Sequence, residues 1–277
     1  MDRFDFTRGT AIVTGAASGI GEQLAHSLAR RGSALALVDR DAERLELVAK
    51  AVQSVSSRPV TCYVTDLADD AATHALGAKL AAAHPDTTLL INNAGVALGG
   101  TFEQVSEEEF DWLIAINLRA VITVTRALLP VLRTHPGSHL VNMSSLFGLI
   151  APPGQVAYAT SKFAVRGFTE ALRSELAGEV GVTVVHPGGI RTRIAETARV
   201  AAAANPADEA AGRAAFARLL TYQPERAAEQ IAGAVEKRRP RLLIAISARV
   251  PDVIARLAPA RYPELLRIDK RVQNREH

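Results

Sequence analysis

The sequence predicts an α/β fold: a doubly wound, mostly parallel seven-stranded sheet with helices on both faces. Short apolar runs rich in β-branched residues alternate with longer stretches of helical composition. The apolar runs are continuous rather than alternating, as strands buried on both faces are. A chain of 277 residues that is 48% hydrophobic can bury such a sheet, and neither a repeat nor a long linker divides it. We therefore expect a single domain over residues 1–277.

Predicted strands and helices alternate along most of the chain. The strands are Thr10–Thr14, Ala34–Asp39, Val60–Thr65, Thr88–Asn92, His139–Ser144, Val182–His186 and Leu242–Ile246. The helices are Gly21–Arg31, Ala42–Val55, Ala71–His84, Glu107–Thr134, Val156–Leu176 and Glu225–Arg238. Ligands of doubly wound sheets bind beyond the carboxyl ends of the strands, at the switch point of the strand order. This places a ligand site before any motif is considered.

Charge is distributed unevenly along the chain. The net charge is +3, but the segment from Lys237 onward carries 11 Lys and Arg against 4 Asp and Glu. A basic tail suits a membrane surface, a nucleic acid or an acidic neighbour. No aromatic residues interleave with these charges as a nucleic-acid reader requires, so a solvated helix face or an oligomer contact is the favoured interpretation, and no nucleic-acid partner is expected.

The N-terminal sequence, the lengths of the apolar runs and the cysteine content together favour a cytoplasmic protein. The N-terminus lacks the apolar core of a signal peptide. No uninterrupted apolar run reaches the roughly 18 residues of a membrane span, so no stable span is expected. The single cysteine, Cys62, lies in the strand-like run Val60–Val64, where we expect an inert core thiol.

A glycine-rich turn follows the first predicted strand. The segment Thr14-Gly15-Ala16-Ala17-Ser18-Gly19-Ile20-Gly21 ends that strand and opens a helix, the context in which such a turn binds a nucleotide. Glycines allow a close approach of the backbone to a pyrophosphate, which the helix N-terminus then attracts. The spacing Gly-x-x-x-Gly-x-Gly differs from Gly-x-Gly-x-x-Gly, and a loop that serves only as a turn is the alternative interpretation.

Asp39 ends the second predicted strand, 18 residues after Gly21. A carboxylate about 20 residues beyond such a turn binds a ribose 2′-hydroxyl, and it repels a 2′-phosphate. This favours NAD over NADP as the cofactor. Arg40 follows directly and offers a contact to a phosphate or an adenine ring, so NADP stays open as the less favoured cofactor. A simple strand-end turn is the alternative role of Asp39.

Tyr158 and Lys162 lie four residues apart, on one face of a predicted helix. An ammonium beside a phenol favours the phenolate and so lowers the tyrosine pKa from about 10. A general acid/base works best when its pKa is near the operating pH. The same spacing also occurs in surface pairs, so its meaning depends on the nucleotide turn far upstream.

Taken together, the motifs resemble the classical short-chain dehydrogenase/reductase family over roughly residues 6–248. In family order they are Thr14–Gly21, Asp66-Leu67, Asn92-Asn93-Ala94-Gly95, Asn117, Ser144-Ser145 with Tyr158 and Lys162, and Pro187–Thr192. Each motif is weak alone, whereas the ordered set is specific. The resemblance implies a Rossmann-type sheet, a nicotinamide dinucleotide and oxidoreductase chemistry on an alcohol/carbonyl pair.

The resemblance also implies which residues contact the cofactor. The expected residues are Gly15, Ser18, Gly19, Ile20 and Gly21 at the phosphates; Asp39, Arg40, Asp66 and Leu67 at the adenosine; Asn92, Ala94 and Gly95 along a ribose; and Tyr158, Lys162, Pro187, Gly188, Ile190 and Thr192 at the nicotinamide end. The Ile190 backbone and the Thr192 hydroxyl would hold the carboxamide. Ordinary turns are the alternative for Asn92-Asn93 and for the loop after Pro187.

In catalysis, the resemblance implies that Tyr158 exchanges a proton with the carbonyl or alcohol oxygen. Lys162 would lower the pKa of Tyr158 and contact the nicotinamide ribose. Ser145 would donate a hydrogen bond to the reacting oxygen, and such a donor is worth about 3 kcal/mol of barrier. Ser144 is the rival for this role. Asn117, in mid-helix, would help to hold a water in a proton relay to the lysine. No metal is required, and the histidines lack the His-x-x-x-His spacing.

The segments expected to border the substrate are apolar. Residues 146–157 are almost wholly apolar, and a mobile lid is expected over residues 193–222, with Phe216, Leu219 and Leu220. Apart from Arg191, Arg193 and Arg199, few charges are available to hold a carboxylate or phosphate. This predicts a lipophilic ketone or secondary alcohol, the alternative being that these residues only pack the lid.

The C-terminal extension, residues 249–277, is predicted to form two short amphipathic helices separated by Pro259 and Pro263. They would cap the pocket or dock on a neighbouring subunit, with a membrane surface as the third choice. The family's habit of pairing its two long helices implies a homodimer or homotetramer. Two other functions stay open: epimerase or dehydratase chemistry on the same scaffold, and a non-catalytic dinucleotide-binding redox sensor.

Overall fold

The computed structural model describes residues 1–205 and 220–268. A parallel sheet is formed by the strands β1 (Thr10–Thr14), β2 (Ala34–Asp39), β3 (Val60–Val64), β4 (Thr87–Asn92), β6 (His139–Met143), β7 (Gly181–Pro187) and β9 (Arg241–Ile244). Their order across the sheet is β3-β2-β1-β4-β6-β7-β9. The order reverses between β1 and β4, which is the switch point of a doubly wound sheet. The predicted fold class, with its seven parallel strands, is confirmed.

Helices cover both faces of this sheet. They are α1 (Gly19–Arg30), α2 (Ala42–Gln53), α3 (Asp70–Ala83), α4 (Glu107–Ile114), α5 (Ala120–Thr134), α6 (Val156–Glu175), α7 (Ile194–Thr197), α8 (Pro224–Glu236), α9 (Ile246–Leu257) and α10 (Tyr262–Leu265). Two-residue strands, β5 (Leu98–Gly99) and β8 (Arg199–Val200), form a separate parallel pair that the sequence patterns did not predict.

The continuous apolar strands contribute side chains to two hydrophobic cores, one on each face of the sheet. In β1, Val13 belongs to the core beneath α1, α2 and α8, whereas Ile12 points to the core beneath α3, α5 and α6. The same alternation separates Ile91 from Leu90 in β4. Because successive side chains of a strand point to opposite faces, a strand covered on both sides must be apolar at every position.

One strand departs from this pattern. β3 lies at the edge of the sheet, and three of its five residues are exposed. The prediction that Cys62 is a core thiol is therefore wrong, since its side chain is exposed. Partial burial is the main cause that raises the pKa of the Cys62 thiol, and the nearby Glu46 carboxylate adds to it. A raised pKa keeps the thiol protonated, so the expectation of low reactivity has a physical basis despite the exposure.

The predicted helix Glu107–Thr134 is interrupted by a π-helical turn over Ala115–Arg119. By length and composition alone this 28-residue stretch could cross a membrane. However, 44% of its most apolar window is buried within the protein, and α5 packs on α3 and β4. Packing on α3 and β4 therefore accounts for part of its apolar composition.

In the C-terminal region, the last strand of the sheet ends earlier along the chain than predicted. Strand β9 stops at Ile244, because Ala245 takes a φ of 70° and starts α9. Pro259 lies between α9 and α10 as expected, but Pro263 lies inside the first turn of α10, where the missing amide is tolerated. The Tyr262 hydroxyl accepts a hydrogen bond from the Ala151 amide at 3.1 Å, which ties α10 to the loop before α6.

Candidate active site

A cavity of about 460 Å³ opens at the carboxyl ends of β1, β4, β6 and β7. Most of the predicted site residues line it: Gly15, Ser18, Gly19, Ile20, Asp39, Arg40, Asp66, Leu67, Ala94, Gly95, Ser145, Tyr158, Lys162, Pro187, Gly188, Ile190 and Thr192. These residues come from segments spread over more than half of the sequence. The parallel topology brings them together, since the ends of all strands meet at one edge.

The glycine turn forms one wall of the cavity. Gly15 and Gly19 have positive φ angles of 67° and 58°. A Cβ on Gly15 would lie 2.8 Å from the Ala94 Cα, and one on Gly19 would lie 2.9 Å from the Thr192 Cγ2. Ser18 begins α1 without capping it by its side chain, so amides of the first turn are left for an anion. This wall fits the pyrophosphate of a dinucleotide.

Asp39 closes the far end of the same wall. Its carboxylate accepts hydrogen bonds from the Ala17 amide at 3.0 Å and the Asp41 amide at 3.1 Å, so it is oriented by the backbone. Arg40 and Arg44 also border this end, both on the solvent side. A carboxylate oriented by the backbone and flanked by two exposed cations suits the hydroxyl-bearing ribose of an adenosine.

Ser144 and Ser145 have separate positions. The Ser144 hydroxyl is buried and donates to the Lys162 main-chain oxygen at 2.8 Å. The Ser145 hydroxyl accepts from the Phe147 amide at 3.2 Å and faces the cavity, close enough to Tyr158 to lower the pKa of its phenol. Ser145 thus lies on the Tyr158 side of the cavity, whereas the Ser144 hydroxyl is engaged by the main chain of α6.

Tyr158 and Lys162 project from the first two turns of α6, and both are almost fully buried. Burial raises the pKa of Tyr158, while the Ser145 hydrogen bond lowers it. The sequence-based expectation of a lowered tyrosine pKa is not met in the protein alone. The Lys162 ammonium lies 5.7 Å from the centroid of the phenol ring, and it donates to the Met143 carbonyl at 3.2 Å. Burial lowers the pKa of Lys162 to about 8.

Three predicted residues lie behind the wall of the cavity rather than on it. A Cβ on Gly21 would collide with the Gly15 carbonyl, so this glycine serves the close packing of the turn. The Asn92 amide donates to Thr125 at 2.9 Å and to Asn142 at 2.8 Å, which differs from its expected place along a ribose.

Asn117, the third of these residues, is completely buried in the π-helical turn. Its amide oxygen accepts from the Val96 amide at 2.8 Å, and its amide nitrogen donates to the Val96 carbonyl at 3.0 Å. A Cβ on Gly95 would lie 3.1 Å from the Lys162 nitrogen and 3.3 Å from the Asn117 oxygen. The missing side chain of Gly95 therefore keeps the space between asparagine and lysine open.

Thr14 and Asn93, for which the sequence motifs predicted no individual contact, connect two walls of the cavity. The Thr14 hydroxyl accepts from the Asn93 amide at 3.0 Å and from the Ala94 amide at 3.1 Å. The Asn93 side chain donates in return to the carbonyls of Thr14 and Gly15. This clamp joins β1 to β4 across the switch point. In the sequence, only the polar residue at the end of each strand indicated such a contact.

The side chains that could bind a metal are dispersed in the described part of the chain. Within residues 1–205 and 220–268, no three His, Cys, Asp or Glu side chains gather closely enough to hold a metal ion. Tyr158 and Lys162 bring a phenol and an amine to the cavity, and both are groups that can serve in acid/base chemistry.

Comparison with known proteins agrees with this geometry. Residues 9–203 match the family model described as short chain dehydrogenase. SadH of Mycobacterium tuberculosis is 37% identical over 264 residues, which cover 92% of this chain and 93% of SadH. The oxidoreductase UcpA of Salmonella typhimurium is 37% identical over 203 residues, covering 72% of this chain and 75% of UcpA.

Solved structures extend the comparison to ligands. A short-chain dehydrogenase/reductase from Burkholderia phymatum in complex with NAD superposes with a TM-score of 0.81 at 28% identity, covering 96% of this chain and 97% of the other. One from Sphingobium yanoikuyae in complex with NADPH superposes with a TM-score of 0.75 at 27% identity, covering 95% and 97%. The chain therefore belongs to the classical short-chain dehydrogenase/reductase family and is an oxidoreductase of the nicotinamide dinucleotide-dependent kind.

Proposed function

We propose that this enzyme interconverts a secondary alcohol and a ketone with NAD(H), and that its substrate is lipophilic. The observation that carries the proposal is the convergence of Ser145, Tyr158 and Lys162 in the cavity whose opposite wall is the glycine turn. A proton donor, a hydrogen-bond donor and a cation thus face one space, as carbonyl reduction requires.

The residues divide the proton chemistry among themselves. When bound, the nicotinamide supplies or accepts the hydride. Tyr158 holds its proton because burial raises its pKa, so it serves as the acid for a carbonyl oxygen. Ser145 donates a hydrogen bond to that oxygen as charge develops on it. A protonated Lys162 favours the phenolate that remains on Tyr158 after the transfer. Oxidation of an alcohol runs through the same atoms in reverse.

Asp39 supports a preference for NAD. Its carboxylate is fixed by two backbone amides at the adenosine end of the cavity, where a 2′-phosphate would meet its negative charge. Arg40 and Arg44 lie at the same end and offset part of that repulsion. NADP is therefore expected to bind as the weaker cofactor.

The substrate end of the cavity is apolar. Val96, Leu146, Phe147, Ile194 and Leu220 line it. Leu220 and Ile194 belong to the proposed lid over residues 193–222, whereas Phe216 and Leu219 lie outside the described residues. A wall of this kind binds a bulky apolar ketone or alcohol better than a sugar phosphate.

The decisive experiment is a screen of apolar secondary alcohols and ketones with NAD and with NADP, followed by the absorbance of the reduced nicotinamide. We expect turnover with bulky apolar substrates and a higher kcat/KM with NAD. Activity confined to small polar ketones would contradict the substrate class. Conversion of substrate without a stoichiometric change in NADH would indicate the epimerase or dehydratase alternative, and tight nucleotide binding without any turnover would indicate the redox sensor.

We extend the proposal to assembly and location. The exposed side of α6 presents Val156 and Phe163, which are 41% and 39% exposed, beside the small residues Thr160 and Gly167. Such an apolar face suits pairing with a second copy of the chain, as a homodimer or homotetramer. The free thiol of Cys62 on an exposed strand suits the reducing cytoplasm. Analytical ultracentrifugation would reveal a monomer if the pairing is absent.

A further inference from the structure

Directly behind the proposed catalytic serine lies a buried histidine to which the reaction assigns no role. His186 is the next-to-last residue of β7 and is completely buried. Its ring Nδ1 lies 3.1 Å from the main-chain oxygen of Ser145, 41 residues away in the sequence. Because a carbonyl oxygen only accepts, Nδ1 carries the proton and the ring is the donor.

This bond explains why a polar ring occupies the position. The other ring nitrogen, Nε2, is buried and has no hydrogen-bond partner in residues 1–205 and 220–268. Burying an imidazole costs free energy that one hydrogen bond offsets only in part. The neighbouring Val184 and Val185 show that this strand readily buries aliphatic side chains. The hydrogen bond from Nδ1 to the Ser145 main-chain oxygen therefore gives a reason for a histidine at this position.

The ring extends the pairing of β6 with β7 beyond the strands. The Ser144 amide still donates to the Val185 carbonyl at 2.8 Å. One residue further on, the His186 ring donates to the Ser145 main-chain oxygen, so a side chain of β7 continues the contact where Pro187 has no amide to donate. The Ser145 oxygen also accepts from the Gly148 amide at 3.0 Å, which closes its own turn. Ser145 is thus held from two sides, by its turn and by β7.

We propose that His186 is a positioning residue, which keeps the Ser145 hydroxyl at the cavity wall in register with the loop that follows β7. That loop begins at Gly188, directly after Pro187, and reaches Thr192, so the ring joins the serine to the segment proposed to hold the nicotinamide. The inference rests on the proposed function, because the position matters for turnover only if Ser145 meets the reacting oxygen.

The protonation state of the ring supports this role. Burial is the main cause that lowers the pKa of His186 to about 4, with the charges of Arg241 and Arg166 acting in the same direction and the Ser145 bond and Asp252 opposing it. At neutral pH the ring is therefore uncharged and keeps a single proton on Nδ1. It acts as a fixed donor rather than as a proton carrier.

Two substitutions of identical chemistry separate position from polarity. His186→Asn places an amide nitrogen near the site of Nδ1, whereas His186→Gln places it near Nε2. We expect His186→Asn to keep kcat within about threefold of the parent, and His186→Gln to lose on the order of tenfold to a hundredfold, as small misplacements of catalytic groups do. The Kd for NAD, measured by calorimetry, should stay unchanged in both.

A matched control lies at the opposite end of the sheet. His139 opens β6, is also completely buried, and its Nε2 hydrogen-bonds with the Thr183 hydroxyl at 2.8 Å. His139→Gln should leave kcat per folded molecule unchanged, with folded protein counted by nucleotide-binding sites. This control shows whether loss of any buried histidine impairs turnover.

The effect must also depend on the serine hydroxyl. In a Ser145→Ala background, adding His186→Gln should lower kcat by less than about twofold, because the effects of coupled residues are not additive. An equal loss in both backgrounds, or equal kcat for the Asn and Gln variants, would overturn the inference.

If the Gln variant does not fold, the Asn variant decides: turnover near the parent supports the inference and a tenfold loss overturns it. Full turnover of Ser145→Ala alone would instead refute the proposed role of Ser145.

Discussion

The two walls of the cavity are built by different means. The nucleotide wall, Thr14–Gly21 with Asp39, consists largely of backbone: two glycines at positive φ, free amides at the start of α1, and a carboxylate held by the amide of Ala17. The chemical wall consists of side chains that arrive from separate elements, Ser145 after β6 and the Tyr158–Lys162 pair on α6. Both ionisable side chains are buried, and burial displaces both pKa values.

This difference indicates how each wall should respond to mutation. A backbone wall is sensitive to any added Cβ but tolerant of changes in nearby side chains. A wall of buried side chains depends on a few atoms whose loss leaves the nucleotide wall intact. Binding and chemistry should therefore separate cleanly in single variants.

The largest effect is expected for Tyr158→Phe. Loss of the hydroxyl removes the proposed acid, so kcat should fall roughly a thousandfold or more. The ring should keep its edge-to-face contact with Phe147, at 6.0 Å between centroids. The Kd for NAD should change little. Tyr63→Phe, on the edge strand β3, is the matched control and should retain turnover; unchanged activity of Tyr158→Phe would remove this residue from the mechanism.

Ser145→Ala should have the next largest effect. Removal of one donor aimed at a developing oxyanion costs about 3 kcal/mol, or roughly a hundredfold in kcat. Ser144→Ala is the control in the neighbouring residue. It loses the bond to the Lys162 carbonyl and should cost about 1 kcal/mol of folding stability, with a much smaller loss of turnover. Equal kcat losses in the two variants would contradict the distinction between the serines.

Asp39→Ser tests the nucleotide wall. Removal of the carboxylate relieves repulsion of a 2′-phosphate, so the ratio of kcat/KM for NADP to that for NAD should rise about tenfold. Asp41→Asn removes one charge from the same end of the cavity while Asp39 stays, and should shift the ratio less. If the ratio does not change in Asp39→Ser, the carboxylate does not meet the ribose.

The smallest effect concerns stability and pH. The pKa of Lys162 is lowered to about 8 from a model-compound value of 10.5, so above pH 8 the unfolded chain keeps a proton that the folded protein has lost. The free energy of unfolding should therefore rise by about 1 kcal/mol between pH 8 and pH 9 in the ligand-free protein. Above pH 9 the raised pKa values of Cys62 and Tyr158 act in the opposite direction.

Urea denaturation at pH 7, 8 and 9 measures this slope. In Lys162→Met the rise between pH 8 and pH 9 should disappear, because the group that titrates there is gone. The same slope in the parent and the variant would show that Lys162 is not the lysine that burial has shifted.

Most of the fold was predictable because its signals are local. Continuous apolar runs marked the strands, and the glycines that precede α1 marked the nucleotide turn. The errors arose where burial depends on distant neighbours. Nothing in Val60–Val64 distinguishes an edge strand from a central one, so Cys62 was placed in the core. Ala245 ended β9 early through a backbone angle that alanine rarely adopts.

The chain by itself determined which chemical groups are available and roughly where along the sheet each would stand, since strand periodicity and turn chemistry act over a few residues. Tertiary structure alone decided what those groups bond to. The hydrogen bond from His186 to Ser145, the partners of Asn117 and the shifted pKa of Lys162 all depend on atoms far away in sequence. Solvent exclusion and donor geometry are properties of the assembled core, and no short segment contains them.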